Sequence, residues 1–193
     1  MGRFNNLENR VIIGGFGGQG ILFLGKILAY AGMLEGKEVT WFPSYGAEVR
    51  GGTANCTVII SDELIGSPIV TNPDVLIVMN DASLDKFLPR LSPNGLFLFD
   101  SSLIREPHLR ADVQCVPVPA TEISNGIGNT KSANMVLLGA FIAKTGILNE
   151  ASAFEALENS APGEKRNGME GNKKALTEGM RFIEDKKSTN IRS

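Results

Sequence analysis

Arg10-Val11-Ile12-Ile13-Gly14-Gly15-Phe16-Gly17-Gly18-Gln19-Gly20, opening into Ile21-Leu22-Phe23-Leu24, decides the fold of this chain. A short apolar run predicts a buried strand, the glycines a turn, and the second apolar run the start of a helix. Gly15, Gly17 and Gly20 fit the spacing G-x-G-x-x-G in the strand–turn–helix setting where that spacing has a mechanism. Glycine opens backbone angles closed to other residues and lets main chain approach a ligand closely. The helix that follows directs unpaired N–H groups and a positive dipole end at the turn, which suits an anion such as phosphate.

Outward from this segment, residues 19–35 are apolar on nearly every side, with Lys26 the lone charge before Glu35. Such a helix is buried around most of its circumference, and Gly36 supplies its left-handed terminator. Residues 39–42 predict a second strand, closed by Pro43. A nicotinamide or flavin fold wants an acidic residue near the end of that strand to hold the ribose hydroxyls. Val39-Thr40-Trp41-Phe42-Pro43 provides none. Residues 53–61 form a β-rich run, and Asp62-Glu63 a turn. Leu64-Ile65 are expected to begin a returning strand limited by Pro68, adding antiparallel pairing to a mostly parallel sheet.

Further buried strands are expected at 74–79, 96–100 and 113–117, with a short helix at 83–88 ended by Pro89. Residues 120–124 start a helix that Asn125-Gly126-Ile127-Gly128-Asn129 breaks, and 133–145 form an apolar helix closed by Gly146. Asn149 is placed to cap a helix running to Leu157 through its side-chain oxygen. Pro162-Gly163 precede a terminal helix near 172–185. The alternation predicts a three-layer α/β/α Rossmann-like domain with a mostly parallel sheet, some antiparallel pairing and C-terminal helices. We expect one domain over residues 1–187 and a frayed tail at 188–193.

With 193 residues, 42% of them hydrophobic and 21% charged, the composition is that of a globular domain. A formal charge of −2 creates no field that would draw nucleic acid. No stretch approaches the ~20 apolar residues of a membrane span. Residues 1–6 lack the apolar run of a secretory signal, so a cytoplasmic protein is expected. Cys56 and Cys115 sit in apolar, strand-like surroundings and are expected to be inert core thiols. Two cysteines cannot hold an iron–sulfur cluster within the chain. His108, the only histidine, lies in a polar stretch beside Pro107 and reads as a loop residue. No catalytic triad, zinc-ligand spacing or Walker lysine is present.

Glu48 and Arg50 lie between Gly46 and Gly51-Gly52. They either pair with each other and with neighbouring loops, or present an arginine fork for a carboxylate or phosphate. Asn129, Lys131 and Asn134 make a second polar group just before the 133–145 helix, where they serve as caps or offer a helix N-terminus.

On these residues the chain resembles the gamma subunits of the 2-oxoacid:ferredoxin oxidoreductases. The resemblance rests on GGFGGQG at 14–20 and PSYGAEVRGGTANCTVIIS at 43–61. Ser67-Pro68, Asp74-Val75-Leu76 and the helix at 134–146 with its Gly139 extend it. The stretch Trp41-Phe42-Pro43-Ser44-Tyr45 looks more like the 2-oxoglutarate branch, and the residues after Leu157 find no match. Members oxidatively decarboxylate a 2-oxoacid to an acyl-coenzyme A and pass electrons to ferredoxin. The resemblance implies thiamine diphosphate and iron–sulfur clusters on partner subunits, no cofactor held stably by this chain, and coenzyme A as cosubstrate of the complex. It implies alpha, beta and ferredoxin-like delta subunits as partners and ferredoxin through the complex. Surfaces meant for partners, left apolar and exposed on the isolated chain, would allow it to self-associate as a homodimer. Gly15, Gly17, Gly18, Gln19 and Gly20 would form the turn facing ligand or neighbour, with Tyr45, Glu48 and Arg50 at the same edge. Two other readings compete: a free-standing Rossmann oxidoreductase using NAD or FAD, and a purely structural interaction subunit.

Overall fold

A computed structural model describes residues 7–44, 53–105, 107–160 and 168–190. The opening segment forms strand β1 (Glu8–Phe16) and helix α1 (Ile21–Leu34). Gly36, at φ +71°, ends α1 as the sequence requires. Its N–H donates to the Met33 carbonyl at 3.0 Å, and the Lys37 N–H to the Gly32 carbonyl at 3.1 Å. This pair of back-bonds satisfies carbonyls that a helix end leaves open.

Strand β2 (Glu38–Ser44) runs through Pro43 instead of stopping at it. Proline cannot donate to a ladder and is tolerated on edge strands, and β2 has a strand partner on one side only among the described residues. Strand β3 (Thr53–Ser61) follows, then β4 (Val75–Val78), β5 (Leu96–Asp100) and β6 (Gln114–Val118). The sheet order is β2-β3-β1-β4-β5-β6. β1, β4, β5 and β6 pair in parallel, while β3 pairs antiparallel with both β1 and β2. β2 therefore points the same way as β1, and β3 alone runs against the rest. No strand forms at Leu64-Ile65; the expected antiparallel pairing comes from β3, inserted between β1 and the strand that α1 leads to.

Alternation along the strands sends side chains to two cores. Val11, Ile13, Cys56, Val58, Ile77 and Leu98 face a thick helical layer, and Ile12, Ile59, Leu76, Val78, Phe97 and Phe99 the opposite one. The thick layer holds α1, α3 (Ala120–Gly126), α4 (Ala133–Thr145), α5 (Glu150–Asn159) and α6 (Met169–Asn190). The thin layer holds α2 (Asp81–Phe87) and the 3₁₀ turn Leu88–Arg90, which takes in Pro89. Asn80 caps α2, its side chain accepting from the Ser83 N–H at 2.8 Å. Asn149 precedes α5 without a side-chain cap bond; its own N–H donates to Glu35 Oε1 at 2.6 Å.

The terminal helix is longer than expected and belongs to the core. Ala175, Leu176, Met180 and Ile183 are buried on it, and it crosses α4 where two glycines meet. A Cβ at Gly139 would stand 2.0 Å from the Leu176 carbonyl oxygen, and one at Gly179 would stand 2.0 Å from that of Val136. Only main chain fits there, which explains Gly139 within the apolar helix. Helix α6 continues to Asn190, past the start of the expected frayed tail.

Cys56 is fully buried, and burial pushes its thiol up to about 12, opposed by the nearby Trp41 indole. Cys115 is only half-buried, a correction to its reading as a core thiol: it lies on edge strand β6 and faces the thin layer. Among the described residues no helix is long and apolar enough to cross a membrane.

Candidate functional site

The carboxyl ends of β1, β4, β5 and β6 form the upper edge of the sheet, and the glycine loop sits there between β1 and α1. Gly17 and Gly18 are exposed at its tip, Gln19 and Gly20 are half-buried, and Gly15 is buried. A Cβ at Gly15 would meet Ile21 Cδ1 at 2.6 Å and Gln19 Oε1 at 2.7 Å, so this glycine lets the loop fold over the helix start. Gly18 has φ +95° with open space around it, which leaves the tip accessible. Gly20, at φ +73°, is the N-cap of α1 and provides no side-chain cap. Among the described residues, no side chain caps the helix start, whose first N–H groups have no partner within the helix.

Gln19 points inward. Its Oε1 accepts from the Phe16 N–H at 2.6 Å and its Nε2 donates to the Met79 carbonyl at 3.2 Å, tying the loop to the end of β4. On the other side Asn134, at the start of α4 and buried, donates from Nδ2 to the Gly20 carbonyl at 3.0 Å. Helix α4 thus also begins beside the loop, with N-cap Ser132 making no side-chain cap bond and Lys131 exposed just before it. The turn leading to it is knotted by Ser124 and Ser132, whose hydroxyls both donate to the Asn129 carbonyl. At the next strand end, fully buried Asp100 accepts from the Thr121 and Ser102 N–H groups and from the Thr121 hydroxyl, capping α3 in place of Pro119. The sequence singled out Asn129 and Asn134 but gave no signal for Asp100, whose partner is 21 residues away.

Tyr45, Glu48 and Arg50 lie outside the described residues. The strands on either side of them are fixed: Ser44 pairs with Asn55, and Thr53 pairs with Phe16 at the upper edge. His108 is an exposed loop residue. It lines a cleft of about 290 Å³ with Leu84, Asp85, Leu88, Pro89 and Arg110, none of them a candidate residue. Among the described residues no group of three or more His, Cys, Asp or Glu is placed to hold a metal ion.

The topology also explains the missing acidic residue. In a dinucleotide fold the second strand lies beside β1 and brings its carboxylate to the ribose. Here β3 intervenes, so the end of β2 lies two strand spacings, about 10 Å, from β1.

Fold and site together define a Rossmann-like α/β domain with an anion-suited glycine loop and, among the described residues, no carboxylate at the end of β2. The chain belongs to the pyruvate ferredoxin/flavodoxin oxidoreductase family, whose model matches residues 10–182. That span takes in most of α6, so residues 158–182, which the resemblance left unmatched, fall within the family match. The ketoisovalerate oxidoreductase subunit VorA of Methanothermobacter thermautotrophicus is 43% identical over 161 residues, covering 82% of this chain and 33% of that protein. The chain thus spans about one third of the length of this relative. The 2-oxoglutarate synthase subunit KorC of Methanocaldococcus jannaschii is 36% identical over 159 residues, covering 81% of this chain and 85% of that one. Among solved structures, the keto/oxoacid ferredoxin oxidoreductase gamma subunit from Geobacter sulfurreducens matches with a TM-score of 0.80 at 30% identity. It covers 92% of this chain and 99% of that one.

Proposed function

We propose that this chain, as a single domain over residues 1–187, is the gamma subunit of a 2-oxoacid:ferredoxin oxidoreductase complex that makes acyl-coenzyme A and CO2. The observation that carries this reading is coextension: almost the whole of a free-standing gamma subunit matches this chain. The partners are the alpha and beta subunits and a ferredoxin-like delta subunit, with ferredoxin receiving the electrons. Thiamine diphosphate and iron–sulfur clusters would be held by partner subunits, the first supplying an electron sink for decarboxylation of the 2-oxoacid and the second a path for single electrons. This chain carries none of that chemistry; its part is assembly and the placement of coenzyme A.

The residues of the upper edge suit that part. The N–H groups at Gly17, Gly18 and the start of α1 would meet the phosphates of coenzyme A, with Gly15 and Gly20 shaping the turn and Gln19 bracing it. Lys131 adds a positive charge beside the start of α4. Tyr45, Glu48 and Arg50 would present side chains from the segment between β2 and β3. The substrate we infer is 2-oxoglutarate, supported by a KorC relative of matching length; the higher identity to VorA favours a branched 2-oxoacid as the second reading.

Native purification from the source cells, followed by mass spectrometry and acyl-coenzyme A assays with 2-oxoglutarate and ketoisovalerate, tests both. Co-purification with a thiamine-binding pair and a cysteine-rich subunit, with turnover of one 2-oxoacid, is expected. Recovery of the chain alone carrying NAD or FAD would overturn the reading.

A further inference from the structure

We infer that Gln19 and Asn134 are positioning residues that hold the glycine loop in one preset conformation, so that its N–H groups need not reorganise to meet an anion. The ligand side of this inference rests on the coenzyme A reading above; the positioning side does not. Gly20 alone cannot keep its left-handed conformation, because glycine leaves that region without steric cost. Its carbonyl is pinned from two directions, by the Leu24 N–H at 2.9 Å and by Asn134 Nδ2 at 3.0 Å.

Both side chains are primary amides used at both ends, and each fits in only one orientation. Gln19 turns its oxygen to a donor, the Phe16 N–H, and its nitrogen to an acceptor, the Met79 carbonyl. Asn134 turns its oxygen to the Met135 N–H at 2.9 Å and its nitrogen to the Gly20 carbonyl. One amide thus fastens the loop to β4, and the other to α4, whose own position is set by its glycine crossing with α6. A carboxylate of the same shape keeps the first bond of each pair and turns the second into two oxygens facing each other. Gln19→Glu and Asn134→Asp therefore remove the strut without removing the packing.

The test has two readouts. Amide hydrogen exchange on the full chain reports the loop, and KM for coenzyme A against kcat in the assembled complex reports its use. Both substitutions are expected to speed exchange at residues 17–20 about tenfold, the scale of one lost hydrogen bond. They are expected to raise KM for coenzyme A by a similar factor with kcat unchanged. Asp74→Ala, which loosens the opposite edge of the sheet, is expected to change neither. Loop exchange that stays at the wild-type rate in both carboxylate variants, or rises equally in Asp74→Ala, would overturn the positioning role. Faster loop exchange with an unchanged KM would uphold the positioning role and remove coenzyme A from the loop.

Discussion

At the lower edge of the sheet Arg10 grips Asp74 with two charged hydrogen bonds, Nε at 3.0 Å and Nη2 at 3.1 Å, while Lys37 reaches Asp62 at 2.7 Å. At the upper edge the glycine loop is held by two neutral amides. Full charges suit the lower edge: the Arg10 guanidinium is held protonated more firmly by Asp74, and the Arg10 backbone N–H adds a further bond to the same carboxylate. At the upper edge a carboxylate strut would put negative charge beside the start of α1 and cancel the potential that favours an anion there. Amides fix the loop without that cost. The difference separates an edge arranged for stability from one that keeps its donors available.

Gly20→Ala is the most severe way to break this contrast. The new Cβ would stand 2.3 Å from Asn134 Nδ2 at a backbone angle of φ +73°. We expect a loss of about 2–3 kcal/mol in urea unfolding, from left-handed strain plus overpacking. A loss below about 0.5 kcal/mol would show that the loop accepts a side chain and is not tightly held. Asp74→Ala should cost about 1–2 kcal/mol, discounted because the Arg10 side chain is 40% exposed. Coenzyme A KM should stay where it is; a change would mean that the two edges are not separable.

Between the edges, buried Cys56 gives a pH test. Its thiol titrates near 9.0 in the unfolded chain and at about 12 in the fold, so unfolding releases a proton between those values and stability falls as pH rises through them. About 1 kcal/mol should be gone by pH 10 in denaturant titrations, and a Cys56→Ala variant should lose that slope. At pH 8 an alkylating reagent should modify half-buried Cys115 first. Lys37→Ala is the gentlest change. The exposed pair with Asp62 should be worth less than about 0.5 kcal/mol, and a larger loss would show that the lower edge depends on it.

The strand–turn–helix opening, β3, β5 and α4 were legible in the sequence because their signals are local: apolar runs bounded by Gly14–Gly20, Ser61, Asp100 and Gly146. Strand order was not. Pro43 reads as a stop until β2 is known to be an edge, and Leu64-Ile65 reads as the antiparallel strand because nothing local says that β3 inserts beside β1. Gly139 was visible, but its partner Gly179 lies on a helix whose crossing only the packing reveals. At the site, the glycine spacing gave the loop and its place. It did not give the inward turn of Gln19, which depends on the Met79 carbonyl 60 residues away. Asn134 reads as a helix-start residue; its bond to Gly20 spans 114 positions.

The most direct test of the central claim, that the glycine loop of a gamma subunit faces coenzyme A, is a single-particle structure of the natively purified complex saturated with coenzyme A. The account predicts coenzyme phosphates within hydrogen-bonding reach of the N–H groups at Gly17 and Gly18, with Gln19 still bonded to Phe16 and Met79. Coenzyme A bound wholly on other subunits, with the Gly17–Gly18 tip left in solvent, would contradict it.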